Sequence, residues 1–176
     1  MAEPTTTEHL SRKTKVLYGI GDTGFSLTST LIGAYFLLFM TDVVGLRPAL
    51  AGLAILIGKQ WDWINDPIVG HLSDRTRTRW GRRRPFLLFG FIPYGLAFTL
   101  MWWRPPIESS GWLAAYYAGV YILYDTAATF VYMPYFALTP ELTPDYDERT
   151  SLTTYRMMFS ILGSLVAFIV PWMIIK

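Results

Sequence analysis

The sequence contains no cysteine and only two histidines, His9 and His71, among its 176 residues. Without cysteine, the chain cannot form a disulfide framework, a thiolate metal centre or a cysteine nucleophile. Two isolated histidines also argue against a histidine-based zinc site and a Ser/His/Asp triad. Charged residues make up 16% of the chain, whereas an average soluble domain has roughly 25%. The net charge of +2 is too small to indicate nucleic-acid binding.

Long apolar segments account for most of the chain. They cover approximately residues 16–40, 49–72, 86–103, 112–138 and 152–175. A helix needs about 20 apolar residues to cross the roughly 30 Å hydrocarbon core of a bilayer. We therefore predict an all-α polytopic membrane protein with about five transmembrane helices, and not an enzyme. Residues 1–14 are predicted to be a disordered cytoplasmic tail, and residues 15–176 to form the transmembrane bundle.

Basic residues alternate between the two ends of the predicted helices. The loop after the second segment has six arginines, whereas the loops after the first and third segments have only Arg47 and Arg104. Because basic loops stay cytoplasmic, the N-terminus is expected inside, in a multi-pass protein of the cell membrane. The six arginines could serve topology alone, with contact to anionic lipids as a second use.

Ionisable residues inside the apolar segments are the first candidates for function. They are Asp22, Lys59, Asp62, Asp66, Asp125 and Arg156. A charge near the bilayer centre costs at least about 2.5 kcal/mol, so each marks a candidate site. The spacing of Lys59, Asp62 and Asp66 places them on one stripe of a helix. With Asn65, the two carboxylates offer the hard oxygen ligands that a small cation or a proton requires.

Each of these residues also has a purely structural interpretation. Asp62 could form a buried ion pair with Lys59, and Asp125 could make an interhelical hydrogen bond without contacting a substrate. Asp22 has glycines nearby in sequence and could mark close helix packing. For the whole chain, the corresponding alternative is a membrane scaffold or assembly subunit whose intramembrane charges are paired within the bundle.

Several motifs resemble one family of transporters. The sequence WDWINDPIVG at residues 61–70 closely resembles the second-helix motif of the glycoside-pentoside-hexuronide cation symporters, the melibiose permease group of the major facilitator superfamily. The motifs YGIGD, TDVVGL and PYFAL, which begin at Tyr18, Thr41 and Pro134, are similar to motifs of the same group. The loop with GHLSDR and WGRRRP resembles the superfamily signature between helices two and three. The resemblance covers nearly the whole chain from Lys15 onward.

The resemblance implies a cation site and a substrate site. The matching cation-site residues are Asp62, Asn65, Asp66 and Thr129. The coupling ion would be H⁺ or Na⁺, with Na⁺ at Asp62 and Asp66, and no other cofactor is implied. The family's sugar-binding positions fall on Ser26, Tyr132 and Phe136, with a near match at Arg156. Because this chain departs from the family's residue types at the first three, Asp22 and Asp125 are expected to supply replacement polar contacts.

The resemblance also implies a cytoplasmic gate and an overall activity. The gate residues would be Gly70, Asp74, Arg75, Gly81, Arg82 and Arg83, with charge pairs that form in one state and break in the other. The implied activity is cation-coupled symport of a sugar or glycoside by alternating access. A lipid-transporting relative of the same family is the alternative among transporters. Expected partners are the solute, membrane lipid and a C-terminal transporter half, and not nucleic acid.

The number of predicted helices bears on completeness. Transporters of this superfamily consist of two six-helix halves with the substrate site between them. Five helices would form most of an N-terminal six-helix bundle. The expectation is therefore that this chain is the N-terminal portion of a roughly twelve-helix transporter and does not transport alone.

Overall fold

The computed structural model describes residues 9–79 and 81–175, and every regular element in these ranges is helical. The prediction of an all-α fold is therefore confirmed. Helix α1 (Arg12–Leu31) is followed by two π-helical segments, Ile32–Phe36 and Phe39–Val43. The remaining helices are α2 (Pro48–Gln60), α3 (Asp62–Arg75), α4 (Arg84–Met101), α5 (Ser110–Phe136), α6 (Thr139–Leu142) and α7 (Tyr146–Ile175). Two stretches, Arg84–Met101 and Tyr146–Ile174, are long and apolar enough to cross a membrane.

Residues 49–72, a single helix in the sequence-based expectation, are divided at Trp61 into the end of α2 and the start of α3. The N–H of Trp61 donates to the carbonyl of Gly58 at 3.2 Å, three residues back instead of the usual four. One turn further on, Pro67 has no N–H to donate to the carbonyl four residues before it. The local helical geometry is therefore irregular on both sides of Asp62.

The chain divides into two compact units, which are described separately. In the first unit, α1 packs along α7. A Cβ atom on Gly19 would lie 3.1 Å from the backbone of Tyr155, and one on Gly163 would lie 2.7 Å from the carbonyl oxygen of Thr23. The absence of a side chain at these two glycines therefore allows the close approach of the two helices.

The start of α7 is joined to the N-terminal segment by a buried carboxylate, that of Glu148. Its oxygens lie 2.9 Å from Lys15 Nζ and 3.0 Å from His9 Nδ1, and they accept a hydrogen bond from the backbone N–H of Leu10. Lys15 also donates to the hydroxyl of Ser151 at 2.9 Å. These bonds satisfy a buried charge and align α1 with α7.

The second unit contains the segment Ile32–Phe136, and α5 packs against α2, α3 and α4 within it. Its aromatic core includes Phe36 and Tyr117, whose ring centroids are 6.0 Å apart in an edge-to-face arrangement. The hydroxyl of the fully buried Tyr117 donates to the carbonyl of Trp103 at 3.1 Å. Gly58 brings α2 against the ring of Tyr121 with no room for a Cβ atom. The centre of this unit is therefore α5.

We expect the substitution Gly58→Ala to destabilise the second unit, because a Cβ atom would overlap the side chain of Tyr121. Overpacking of this kind costs about 1–3 kcal/mol. The matched control is Gly52→Ala on the same helix, where a Cβ atom meets nothing within 4 Å. There the higher helix propensity of alanine should leave stability unchanged or raise it. Thermal unfolding in detergent tests both variants, and equal midpoints would contradict the proposed α2–α5 contact.

Candidate functional site

A cluster of polar side chains lies where α3 faces α5, within the second unit. Asp62 is in the first turn of α3, and Asn65 and Asp66 are one turn further on; Asp125 and Thr129 are one turn apart on α5. In a helix, residues three or four apart share a face. The facing residues therefore meet along one side of the α3–α5 contact.

The contacts in this cluster join the two helices directly. Thr129 Oγ1 donates to Asp66 Oδ1 at 3.3 Å, and Asn65 Nδ2 makes a long hydrogen bond of 3.5 Å to Asp125 Oδ2. Asp125 also lies within hydrogen-bonding reach of Asp62. Asn65 and Thr129 are buried, whereas the three carboxylates are partly exposed. The structure thus brings together the four residues predicted for cation binding.

Asp125 is placed differently from the sequence-based expectation, which grouped it with the substrate-binding residues. It belongs to the polar cluster through Asp62 and Asn65. The hydrogen bond of Asp125 to Asn65 on the facing helix is the kind of interhelical contact expected if Asp125 has a structural role and does not contact a substrate. The four-residue spacing of Asp125 and Thr129 indicates that the two residues share one face of α5. The spacing could not show which helix this face contacts.

The oxygens of the cluster have the chemistry needed by a proton or a small hard cation. Within residues 9–79 and 81–175, no three His, Asp or Glu side chains form a group suited to hold a metal ion. An ion at this position would therefore need neutral oxygens from Asn65 or Thr129 beside the carboxylates. The proposed pairing of Asp62 with Lys59 is not seen: Lys59 is exposed, and no salt bridge joins the two in the described part of the chain.

Three of the predicted substrate-binding residues lie in the first unit. Asp22 is only 7% exposed, forms a hydrogen bond with Ser160 and lies close enough to Arg156 for electrostatic attraction. Ser26 is also buried and donates to the carbonyl of Thr23 at 3.0 Å. Asp22 of α1 and Arg156 of α7 thus lie within electrostatic range of each other on facing helices.

The other two candidates, Tyr132 and Phe136, lie one turn apart on α5 in the second unit. Their ring centroids are 4.0 Å apart, and the side chain of Tyr132 is 41% exposed. An accessible aromatic surface of this kind can stack on the apolar face of a ligand.

The predicted gate residues lie around the connection between α3 and α4. Arg83 donates to Asp74 at 3.2 Å, so these two form a salt bridge. Gly81 has a φ of +96°, a conformation that favours glycine, and its carbonyl accepts a hydrogen bond from Thr78. Gly70 accepts a hydrogen bond from Ser73. The remaining gate candidates, Arg75 and Arg82, are exposed.

Comparison with known proteins finds transporters along nearly the whole chain. An uncharacterised symporter of Synechocystis, sll1374, is 45% identical over 174 residues, covering 96% of this chain and 32% of the relative. YagG of Escherichia coli, whose name proposes a glycoside/cation symporter, is 41% identical over 89% of this chain and 34% of its own length. The sodium-dependent lysophosphatidylcholine symporter 1-A of Danio rerio is 37% identical over 86% of this chain and 28% of its own length.

The chain therefore spans about a third of the length of these curated relatives. A family model described as MFS/sugar transport protein matches residues 17–176. This match extends from the second turn of α1 to the end of the sequence and includes both the polar cluster and the gate residues. The resemblance recognised in the sequence is confirmed, and the chain belongs to the MFS/sugar transport protein family.

Proposed function

We propose that this chain is the N-terminal part of a cation-coupled symporter that moves a sugar or glycoside by alternating access. The observation that carries the proposal is the polar cluster at the α3–α5 contact, in a chain whose relatives are named symporters. The protein would lie in the cell membrane as a multi-pass protein with a cytoplasmic N-terminus. A C-terminal half would complete the solute pathway.

In this proposal the cation compensates the negative charge of Asp62 and Asp66. Charge compensation changes the relative free energies of the inward-open and outward-open states, since uncompensated carboxylates are costly in low-dielectric surroundings. Solute and cation then cross together because each stabilises the same conformations. The ion is H⁺ or Na⁺, and the assays below distinguish the two.

Asp125 joins the cation site in this proposal. Three partly exposed carboxylates on α3 and α5 repel one another unless positive charge is present. The contacts of Asp125 with Asp62 and Asn65 support this role, and its position on α5 beside Thr129 completes the second wall of the site. The candidates for solute binding are proposed for each unit separately: they are Asp22, Ser26 and Arg156 in the first, and Tyr132 and Phe136 in the second.

A lipid solute is the second candidate, because a relative named for lysophosphatidylcholine is 37% identical to this chain. The relative whose name proposes glycosides is 41% identical. Competition of labelled glycoside uptake by unlabelled sugars and by lysophosphatidylcholine would separate the two solute classes. We favour a sugar because the family model that matches residues 17–176 is described as MFS/sugar transport protein.

In a full-length transporter whose N-terminal part is this chain, Asp66→Asn should abolish uphill accumulation of solute. Downhill exchange should survive, because only the charge compensated by the cation is removed. The measurement is uptake of labelled sugar into vesicles with an imposed H⁺ or Na⁺ gradient. Asp42→Asn is the matched control, since Asp42 is exposed and accepts a local hydrogen bond from Thr41. Accumulation by Asp66→Asn at the level of the control would exclude the proposed cation site.

The substitution Asp125→Asn should change the cation dependence of transport while preserving the shape of the side chain. We expect the cation concentration for half-maximal uptake to change by about tenfold, which corresponds to about 1.4 kcal/mol of binding free energy. Titrations with Na⁺ at fixed pH, and with pH at fixed Na⁺, identify the ion whose dependence changes. Asp147→Asn, at an exposed position in the first turn of α7, serves as the control. An unchanged dependence on both ions would remove Asp125 from the site.

The salt bridge between Asp74 and Arg83 should be needed for turnover. We expect Asp74→Ala to reduce the rate of transport several-fold. Membrane insertion should stay normal, because the arginines of the loop still set the topology. The charge exchange Asp74→Arg with Arg83→Asp should restore part of the rate if the pair itself is required. Transport and membrane insertion are measured on the same vesicles. Loss of insertion, or wild-type turnover in Asp74→Ala, would contradict a gating role.

A further inference from the structure

An apolar groove of about 480 Å³ lies between α4 and α5 in the second unit, apart from the polar cluster. Its walls are formed mainly by Phe86, Phe89 and Pro93 of α4 and by Leu123, Ala127 and Phe130 of α5. Its volume falls within the range of about 300–1,000 Å³ that is typical of small-molecule sites. The groove is therefore large enough for a ligand and apolar enough to favour a hydrocarbon.

The polar atoms in the wall are already engaged in hydrogen bonds. The hydroxyl of Thr126 donates to the carbonyl of Ile122 at 2.7 Å and accepts from Trp61 Nε1 at 2.9 Å. The hydroxyl of Thr76 donates to the carbonyl of Leu72 at 2.7 Å. A sugar in this groove would lose its hydrogen bonds to water with few replacements, so these walls disfavour a polar ligand.

A dense group of positive charges adjoins one end of the groove. Thr76 and Pro85, which both line the groove, flank a connection of eight residues in which five are arginine. Arg83 is paired with Asp74, whereas Arg77, Arg79 and Arg84 have exposed side chains. An apolar groove with cationic groups at one end is complementary to an amphiphile that has a hydrocarbon tail and an anionic head.

We propose that this groove binds one anionic phospholipid, with an acyl chain between α4 and α5 and the headgroup phosphate at Arg77, Arg79 and Arg84. Guanidinium groups bind phosphate through paired hydrogen bonds, which favours an anionic headgroup over a zwitterionic one of the same chain length. Basic groups next to a membrane helix attract anionic lipids in the same way. The proposal concerns a different site from the cation cluster and does not depend on transport.

The cysteine-free sequence allows a direct test with a single reporter. Phe89→Cys places one thiol at an exposed position of the groove wall, where it can be labelled with bimane. The labelled protein in detergent is titrated with phosphatidylglycerol whose acyl chains are brominated and therefore quench fluorescence, and separately with brominated phosphatidylcholine of the same chain length. We expect phosphatidylglycerol to half-quench the label at a several-fold lower mole fraction.

Two sets of variants separate the headgroup from the tail. The triple substitution Arg77→Gln, Arg79→Gln and Arg84→Gln should remove the preference for phosphatidylglycerol. The matched control, Arg12→Gln with Arg47→Gln and Arg104→Gln, neutralises three exposed arginines elsewhere in the chain and should retain the preference. Leu123→Phe, at a half-exposed wall position, should reduce quenching by both lipids because the larger ring narrows the groove.

Several outcomes would overturn the proposal. Equal quenching by the two lipids would show that the headgroup is not recognised, and equal loss of preference in the control would assign it to overall charge. Full quenching in Leu123→Phe would place the acyl chain outside the groove. No quenching by either lipid would show that no acyl chain enters the groove.

Discussion

The close approach of α5 to its neighbours is the constraint on which the second unit depends. Because Gly58 has no side chain, the ring of Tyr121 packs directly against α2. Gly90 leaves room in the same way for the side chain of Val131 at the α4 contact. A Cβ atom at Gly90 would lie 2.6 Å from Val131 Cγ2. With α5 held at this distance, its polar face meets α3 and its apolar face forms one wall of the groove. Small residues at helix contacts thus position two chemically different surfaces on one helix.

In the first unit, the buried carboxylates of Asp22 and Glu148 each have hydrogen-bonding or charged partners. Asp22 lies near Arg156 and is hydrogen-bonded to Ser160, while Glu148 is satisfied by three donors from the N-terminal segment. Burial of a carboxylate is costly unless such partners are present. In the α3–α5 cluster of the second unit, by contrast, the carboxylates face amide and hydroxyl groups. Within residues 9–79 and 81–175, no lysine or arginine contacts Asp62, Asp66 or Asp125. This difference supports the proposal that the α3–α5 cluster binds the cation.

Much of this organisation could be predicted from the sequence. The apolar segments predicted the all-helical fold, and the motif at residues 61–70 predicted the family. The partner of Asp125 could not be predicted, because helical periodicity defines a face but not the helix that it contacts. The pairing of Lys59 with Asp62 assumed a regular helix through Trp61, where the backbone instead tightens to a three-residue hydrogen bond. Both departures have the same physical origin, because helical periodicity specifies neither local irregularities of the backbone nor the helix that a given face contacts.

The hydrogen bond between Trp61 and Thr126 connects the two surfaces of α5. Thr126 follows Asp125 directly in the chain, so the residue that lines the groove and the residue that joins the polar cluster share one turn of helix. Trp61 joins α2 to α3 immediately before Asp62. A rotation of α5 about its axis would therefore strain the Trp61 hydrogen bond and displace Asp125 and Thr126 together. The hydrogen bond from the Trp61 indole thus restrains rotation of α5 relative to the start of α3.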